Sequence, residues 1–78
     1  MNTISFAVCG FGRIGKRHAK IIDEYQNTEL RGIIDIENSA KEEAKELGYN
    51  CGVHQELEQF IQEDKRKTDV VTIATPNG

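Results

Sequence analysis

The chain has 78 residues, with 13 acidic and 10 basic side chains and a net charge of −3 at pH 7. This slight acidity, with no basic cluster longer than residues 65–67, argues against nucleic acid as a partner. No apolar run reaches the roughly 18–20 residues that span a bilayer, and the N-terminus lacks a signal-peptide pattern. Cys9 and Cys51 have neither metal-site spacing nor a disulfide framework. We therefore expect a small, soluble, cytoplasmic domain that binds neither membrane nor metal.

The first half of the chain has the pattern strand, turn, helix, strand. Residues 4–8 are almost all apolar, which is typical of a parallel strand buried on both faces. Residues 14–25 carry apolar side chains at three- and four-residue spacing and predict an amphipathic helix. Its predicted inward side chains are Ile14, His18, Ile21, Ile22 and Tyr25. A second strand is predicted over residues 30–34.

The second half continues the alternation of helices and strands. Ser39 and Glu42 have the spacing of a capping box and predict a helix over residues 40–47 that stops at Gly48. A weak extended segment over residues 50–53 precedes a helix over residues 56–63, with Leu57, Phe60 and Ile61 facing inward. Residues 70–74 are rich in β-branched side chains and predict the last strand, from which residues 75–78 turn away.

This β-α-β-α-β-α-β order predicts an α/β fold with a parallel sheet. Right-handed crossovers give the strand order 3-2-1-4, with helices on both faces, as in part of a Rossmann fold. Ligands bind such sheets beyond the carboxyl ends of the strands, here between strands one and four. The fourth strand would be a bare, β-prone edge, so we expect further chain after Gly78 or, less favoured, a second subunit.

Six residues after the first strand have the pattern of a dinucleotide-binding turn: Gly10, Phe11, Gly12, Arg13, Ile14 and Gly15. In this pattern the first glycine permits a tight turn, and the second lets backbone approach a pyrophosphate. The third lets the following helix lie close to the sheet. The helix N-terminus then offers unpaired N–H groups and a positive dipole end to the anion. For the Arg13 side chain two positions are expected equally: beside the pyrophosphate, or pointing to solvent.

Asp35 follows the glycine turn at the end of the second predicted strand, twenty positions after Gly15. A carboxylate at this position accepts both hydroxyls of an adenosine ribose and repels a 2′-phosphate. The sequence therefore predicts binding of NAD in preference to NADP. The positive charge of Lys41 would weaken the preference for NAD, and the negative charge of Glu37 would oppose that effect.

The remaining reactive side chains are interpreted as structural, so no catalytic residue is predicted within the chain. His18 falls on the apolar stripe of the first helix, where a histidine packs more often than it transfers protons. His54 is expected on a surface turn. Cys9 and Cys51 are expected to pack as small apolar side chains.

The chain resembles the N-terminal part of the glucose-fructose oxidoreductase/inositol dehydrogenase family of nicotinamide-dependent sugar oxidoreductases. Four stretches carry the resemblance: residues 8–18, 32–35, 68–74 and 75–78. The most specific is the Ala74-Thr75-Pro76-Asn77 ending, which with residues 12–18 is most similar to nucleotide-sugar 3-dehydrogenases. Residues 10–15 also resemble the opening of glyceraldehyde-3-phosphate dehydrogenases, but that family does not usually end its fourth strand in this way.

The resemblance implies hydride transfer between NAD and a sugar or nucleotide sugar in a homo-oligomeric enzyme. It implies that Thr75, Pro76 and Asn77 contact the central ribose and nicotinamide end of the cofactor. The catalytic lysine of a Glu-Lys-Pro motif and a C-terminal substrate domain lie outside residues 1–78, so this portion alone is expected to be inactive. Two alternatives stay open: a non-catalytic NAD-binding regulatory domain, and an oligomerising scaffold with a structural nucleotide.

Overall fold

The structure, a computed structural model, describes residues 3–64 and 67–74. Within them, four strands alternate with three helices, as the sequence predicts. The elements are β1 (Ile4–Cys9), α1 (Arg13–Glu24), β2 (Thr28–Ile34), α2 (Ser39–Glu46), β3 (Gly52–His54), α3 (Leu57–Glu63) and β4 (Val70–Ile73). The predicted residues 75–78, with Thr75, Pro76 and Asn77, lie outside the described residues.

The strands form one parallel sheet in the order β3-β2-β1-β4, which confirms the predicted topology. Helices α1 and α2 cover one face, where Val8 and Ile33 are fully buried. Helix α3 covers the other face, where it packs on Ala7 and Ile34. Because Ala7 and Val8 are consecutive and both are buried, β1 is covered on both faces, as a central parallel strand requires.

The rotation of α1 differs from the predicted one. Its buried residues are Gly15, Ala19 and Ile22. The prediction that Ile14, Ile21 and Tyr25 face inward is wrong, because these side chains are 60%, 56% and 69% exposed. The reason is close backbone packing: a Cβ on Gly15 would lie 1.7 Å from the Gly10 carbonyl oxygen, so this position must face the sheet. The side of α1 that carries Gly15, Ala19 and Ile22 is therefore buried, whereas Ile14 and Ile21 lie on the exposed side.

Helix α2 begins differently from the prediction but ends as predicted. Ser39 is the first helical residue and Asn38 is the N-cap, so the predicted capping box around Ser39 is wrong. The Asn38 side chain does not cap the helix because its Oδ1 accepts a hydrogen bond from Gln55 Nε2 at 2.5 Å. At the other end Gly48 has a φ of +85°, and its N–H donates to the Lys45 carbonyl oxygen. This is the left-handed residue with which helices commonly end.

Helix α3 is anchored by one buried side chain, Phe60. Its ring lies directly on β2, because a Cβ on Gly32 would lie 2.3 Å from the ring Cε1. Leu57 packs partly against the same cluster. The prediction that Ile61 faces inward is wrong, since this side chain is 59% exposed. Seven residues make only two helical turns, so α3 presents a narrow face to the sheet.

At the amino ends of the strands, β1 and β4 are joined by Ser5 and Asp69. The Ser5 N–H and hydroxyl both donate to Asp69 Oδ2, at 2.9 and 3.0 Å. The Asp69 N–H lies 3.1 Å from the Ser5 carbonyl oxygen and 3.0 Å from its Oγ. Ser5 is buried, so this polar group has its partners within the protein, as burial demands. This junction lies at the opposite end of the sheet from the glycine turn.

Candidate nucleotide-binding site

The glycine turn leaves β1 through a conformation that only glycine adopts easily. Gly10 has a φ of +101°. Its N–H donates to the Ile34 carbonyl oxygen at 2.6 Å, which ties the turn to the end of β2. Cys9 pairs with Ile34 on one side and with Ile73 on the other, so three strands end at the same level. The turn therefore lies where β1, β2 and β4 meet.

Gly12 and Gly15 lack a side chain for different reasons. A Cβ on Gly15 would collide with Gly10 and lie 3.5 Å from Val8 Cγ1, so this glycine allows α1 to lie against the turn. Within the described part of the chain, no atom lies within 4 Å of the place that a Gly12 Cβ would take. Gly12 thus leaves open space over its own backbone, and a side chain there would fill it.

The N-terminus of α1 opens onto that space. Gly12 is the N-cap, and no side chain of residues 3–64 or 67–74 caps the helix there. The first turn carries no acidic residue. The first N–H groups of a helix have no intrahelical partners, and with the helix dipole they attract an anion. This geometry suits a phosphate group. The side chains of Arg13 and Ile14 are exposed.

Asp35 lies directly after β2 and is bonded to the glycine turn. The Phe11 N–H donates to Asp35 Oδ2 at 2.6 Å, and the Glu37 N–H donates to Oδ1 at 2.8 Å. The Asp35 N–H donates to the His54 carbonyl oxygen at 2.9 Å, which continues the pairing of β2 with β3. Each carboxylate oxygen has two acceptor sites, so each can still accept one hydroxyl group. The carboxylate is fixed in place and retains the capacity to bind a diol.

A cleft of about 480 Å³ opens at this end of the sheet, within the usual size range of small-molecule sites. Gly10, Gly12 and Asp35 all line it. Its other lining residues are Cys9, Ile34, Ile36, Glu37, Gln55, Leu57 and Ala74. Ile36 is largely exposed and, with Leu57, gives the cleft an apolar surface suited to a flat ring. The uncapped start of α1, a carboxylate with spare acceptor sites and an apolar wall thus meet in one cleft, an arrangement suited to a dinucleotide.

Among these lining residues, the sequence analysis gave no part in the site to Ile36, Gln55 and Leu57, and it considered Glu37 only for its charge beside Lys41. Ile36 and Glu37 follow Asp35 directly, and Gln55 follows β3, so all three leave the sheet at the predicted ligand-binding edge. That placement could have indicated them. Leu57 enters the cleft from the start of α3, which the strand pattern does not show.

The histidines and cysteines are packed groups. The prediction that His54 lies on a surface turn is wrong, because it belongs to β3 and its ring meets that of Phe60 edge-on at 5.5 Å. Burial, and secondarily the charge of Asp35, raises the pKa of the Cys9 thiol. Burial, with a smaller contribution from Asp23, raises the pKa of Cys51 to about 11. Both therefore stay protonated at neutral pH and are poor nucleophiles.

Within residues 3–64 and 67–74, no group of three His, Cys, Asp or Glu side chains could hold a metal ion. Among the helices of these residues, none has the length and apolar character needed to cross a membrane.

Three solved structures illustrate what the chain is similar to. Scyllo-inositol dehydrogenase from Lactobacillus casei, with bound NAD(H) and scyllo-inositol, is 27% identical, with a TM-score of 0.84 over 99% of this chain and 22% of that one. The WlbA dehydrogenase from Bordetella pertussis, in complex with NADH and UDP-GlcNAcA, is 28% identical, with a TM-score of 0.83 over 99% of this chain and 23% of that one. A putative myo-inositol dehydrogenase from Sinorhizobium meliloti 1021 is 34% identical, with a TM-score of 0.76 over 95% of this chain and 21% of that one.

The chain thus spans about a fifth of the length of these proteins. A comparison with curated protein sequences finds no significant match. The sequence model of one family, described as "Oxidoreductase family, NAD-binding Rossmann fold" (GFO_IDH_MocA), matches residues 4–78. This is the family that residues 8–18, 32–35, 68–74 and 75–78 resemble, and the match confirms that resemblance. The chain therefore belongs to the GFO_IDH_MocA family of oxidoreductases, whose NAD-binding Rossmann fold it carries.

Proposed function

We propose that residues 1–78 are the N-terminal, NAD-binding portion of an oxidoreductase that transfers hydride between NAD and a sugar or nucleotide sugar. The observation that carries the proposal is the hydrogen bond from the Phe11 N–H to Asp35 Oδ2, which joins the glycine turn to the acid within one cleft. The structures similar to the chain include one with NAD(H) and scyllo-inositol and one with NADH and UDP-GlcNAcA. These relatives support a sugar-like substrate class.

Each part of the site has one task in this proposal. The free N–H groups at the start of α1 bind the diphosphate, over the space that Gly12 leaves open. The Asp35 carboxylate accepts the two hydroxyls of the adenosine ribose and repels a 2′-phosphate, so NAD binds more tightly than NADP. Thr75, Pro76 and Asn77 contact the central ribose and nicotinamide end. When bound, NAD supplies the hydride acceptor, and this chain supplies binding and orientation.

The groups that handle the substrate proton belong to chain beyond residue 78. We propose a second, C-terminal domain that binds the substrate, so that residues 1–78 alone bind cofactor without turning over substrate. The net charge of −3 supports a protein that does not bind nucleic acid. We further propose that the full protein is a cytoplasmic homo-oligomer.

The test uses the protein encoded by the full reading frame. It is titrated with NAD and with NADP, and isothermal calorimetry measures the two dissociation constants. We expect saturable NAD binding and NADP affinity at least about tenfold lower. Reduction of NAD on addition of inositols, sugars or nucleotide sugars would then identify the substrate class. Equal affinity for both nucleotides, or no binding of either, would contradict the proposal. NAD binding without turnover of any such substrate would favour the regulatory alternative.

A further inference from the structure

Phe11 connects the cofactor cleft to the core beneath it. Its ring is only 2% exposed and belongs to the cluster under α1 and α2. Its backbone N–H, on the other side of the same residue, donates to Asp35 Oδ2 at 2.6 Å. The buried ring and this N–H thus belong to one residue, and the N–H is one of the two backbone donors that hold the Asp35 carboxylate.

Two side chains hold the Phe11 ring from outside the glycine turn. Tyr49, in the connection between α2 and β3, meets it edge-on, with the ring centroids 6.4 Å apart and the planes at 73°. Lys16 Nζ lies 5.6 Å from the ring centroid and pairs with Glu43 Oε2 at 2.5 Å. The Lys16–Glu43 pair is partly exposed, and exposed pairs stabilise little. Tyr49 therefore adds an aromatic contact to the packing that the buried cluster already gives the ring.

Tyr49 has surroundings that favour a fixed, neutral ring. It packs against the buried cluster that contains Phe11. Burial raises the pKa of its phenol, and the charges of Asp23 and Glu24 raise it further. The N–H of Tyr49 donates to the Ala44 carbonyl oxygen at 3.0 Å, which ties its backbone to the end of α2. Tyr49 is not among the residues that line the cleft.

We propose that Tyr49 is a positioning residue for cofactor discrimination: through the Phe11 ring it holds the Asp35 carboxylate where it selects NAD over NADP. The proposal rests on the proposed function. Without the Tyr49 ring, Phe11 loses an aromatic neighbour, its N–H can leave the line to Oδ2, and the Asp35 carboxylate is then held by the Glu37 N–H alone. A mobile carboxylate binds the ribose hydroxyls less well and repels a 2′-phosphate less strongly, so the two cofactors are affected in opposite directions.

The experiment compares Tyr49→Leu, Tyr49→Phe and Tyr25→Leu in the protein encoded by the full reading frame. Dissociation constants for NAD and NADP are measured by calorimetry, and Tm by thermal denaturation. Tyr49→Leu should weaken NAD binding about two- to tenfold and lower the NAD:NADP affinity ratio by at least a similar factor, because it removes one aromatic contact. Tyr49→Phe keeps the ring and should keep the ratio. Tyr25, the residue that follows α1, is largely exposed, and its replacement should change neither affinity.

A purely structural role for Tyr49 would give a different result. Loss of folded protein lowers both affinities by the same factor and leaves the ratio unchanged, and that outcome would overturn the positioning role. If Tyr49→Leu does not fold, Tyr49→Met, which retains more flexible apolar bulk, is judged by the same ratio. Failure of the wild-type protein to bind NAD would instead overturn the proposed function, so the two failures are distinguishable.

Discussion

Gly12 and Gly15 stand three positions apart in the same turn, and the structure predicts opposite effects of substituting them. Gly12 borders the cleft, and a side chain there would enter open space. Gly15 lies under the turn, where a Cβ would collide with the Gly10 carbonyl group. We therefore expect substitution of Gly12 to affect ligand binding and substitution of Gly15 to affect the fold.

Replacing Gly12 by Val should abolish cofactor binding while keeping the protein folded. The branched side chain would occupy the space in which we place the diphosphate, so NAD affinity should fall by at least about tenfold. The Tm should fall little, because no atom of the described residues is displaced. Calorimetry and thermal denaturation measure the two effects separately.

The matched control for that substitution is Gly15→Ala. Its methyl group has no room, so α1 must move from the turn and the free energy of unfolding should drop by about 1–3 kcal/mol or more. If Gly12→Val destabilised the protein as much as Gly15→Ala, the space over Gly12 would not be a binding cradle.

Replacing Asp35 by Ala should reduce the selectivity of the site. NAD loses a charged acceptor for its ribose hydroxyls, and hydrogen bonds to charged groups contribute about 1.5–3 kcal/mol, which corresponds to roughly 10–100-fold in affinity. NADP loses a repulsive charge, so its affinity should hold or rise. Glu46→Ala removes an exposed carboxylate from the end of α2, outside the residues that line the cleft, and serves as the control in the same calorimetric titrations.

For single residues, the sequence predicts Asp35 and the glycine turn but not the side-chain contacts that hold them in place. Asp35 and the glycines occur at a spacing that a strand-turn-helix-strand unit brings together. The structure joins the turn to the acid through the hydrogen bond from the Phe11 N–H to Asp35 Oδ2. The Phe11–Tyr49 contact joins residues from different elements through side-chain packing, and no local pattern encodes that contact.

Among the elements, α1 shows why hydrophobic periodicity predicts the presence of a helix better than it predicts which side of that helix faces the sheet. Ile14, Ile21 and Tyr25 are larger and more apolar than Gly15 and Ala19, so the pattern favours them as the inward face. Backbone contact at the glycine turn requires the small residues to face the sheet instead. Existence of the helix follows from the pattern, whereas its orientation follows from close packing that composition does not reveal.

Helix α3 should depend on Phe60 far more than on its neighbour Ile61. Phe60→Ala removes the buried ring and should lower the free energy of unfolding by about 3–5 kcal/mol. Ile61→Ala alters an exposed side chain and should change it by less than about 0.5 kcal/mol. Denaturant titrations of both variants compare them directly, and similar losses would show that α3 is not anchored by the ring.

For the molecule as a whole, topology was more predictable than detail. Right-handed crossovers fix the order of parallel strands once the elements are known, and the order β3-β2-β1-β4 confirms this. The start of α2 was not predictable in the same way. Asn38 accepts a hydrogen bond from Gln55, a residue beyond β3, and this distant partner replaces the local cap.

Stability of the whole sheet should fall in acid through its two amino-end carboxylates. Hydrogen bonds from the Ser5 N–H and hydroxyl lower the pKa of Asp69. Burial raises the pKa of Asp64, but hydrogen bonds from Thr68 and the charge of Arg31 outweigh it and leave a lowered pKa. Because the folded pKa values lie below the unfolded ones, the ionised carboxylates stabilise the fold at pH values above their unfolded pKa. This contribution is lost as pH falls below about 4.

The isosteric change Asp69→Asn removes one of these titrations. Its Tm at neutral pH should be lower than that of the wild type, and the difference should shrink as pH falls to about 2. Circular dichroism melts across this pH range measure the difference. A gap that stays constant down to the lowest pH would show that the Asp69 charge contributes nothing to stability.

The missing side chain at Gly32 has a consequence for the width of the cleft. The Phe60 ring sits in the notch that Gly32 leaves in β2, and Leu57, one helical turn earlier, forms part of the cleft wall. Any larger residue at position 32 would lift α3 from the sheet and carry Leu57 outward with it. A glycine in the middle of a strand, outside the residues that line the cleft, thereby fixes how far the wall formed by Leu57 stands from the sheet.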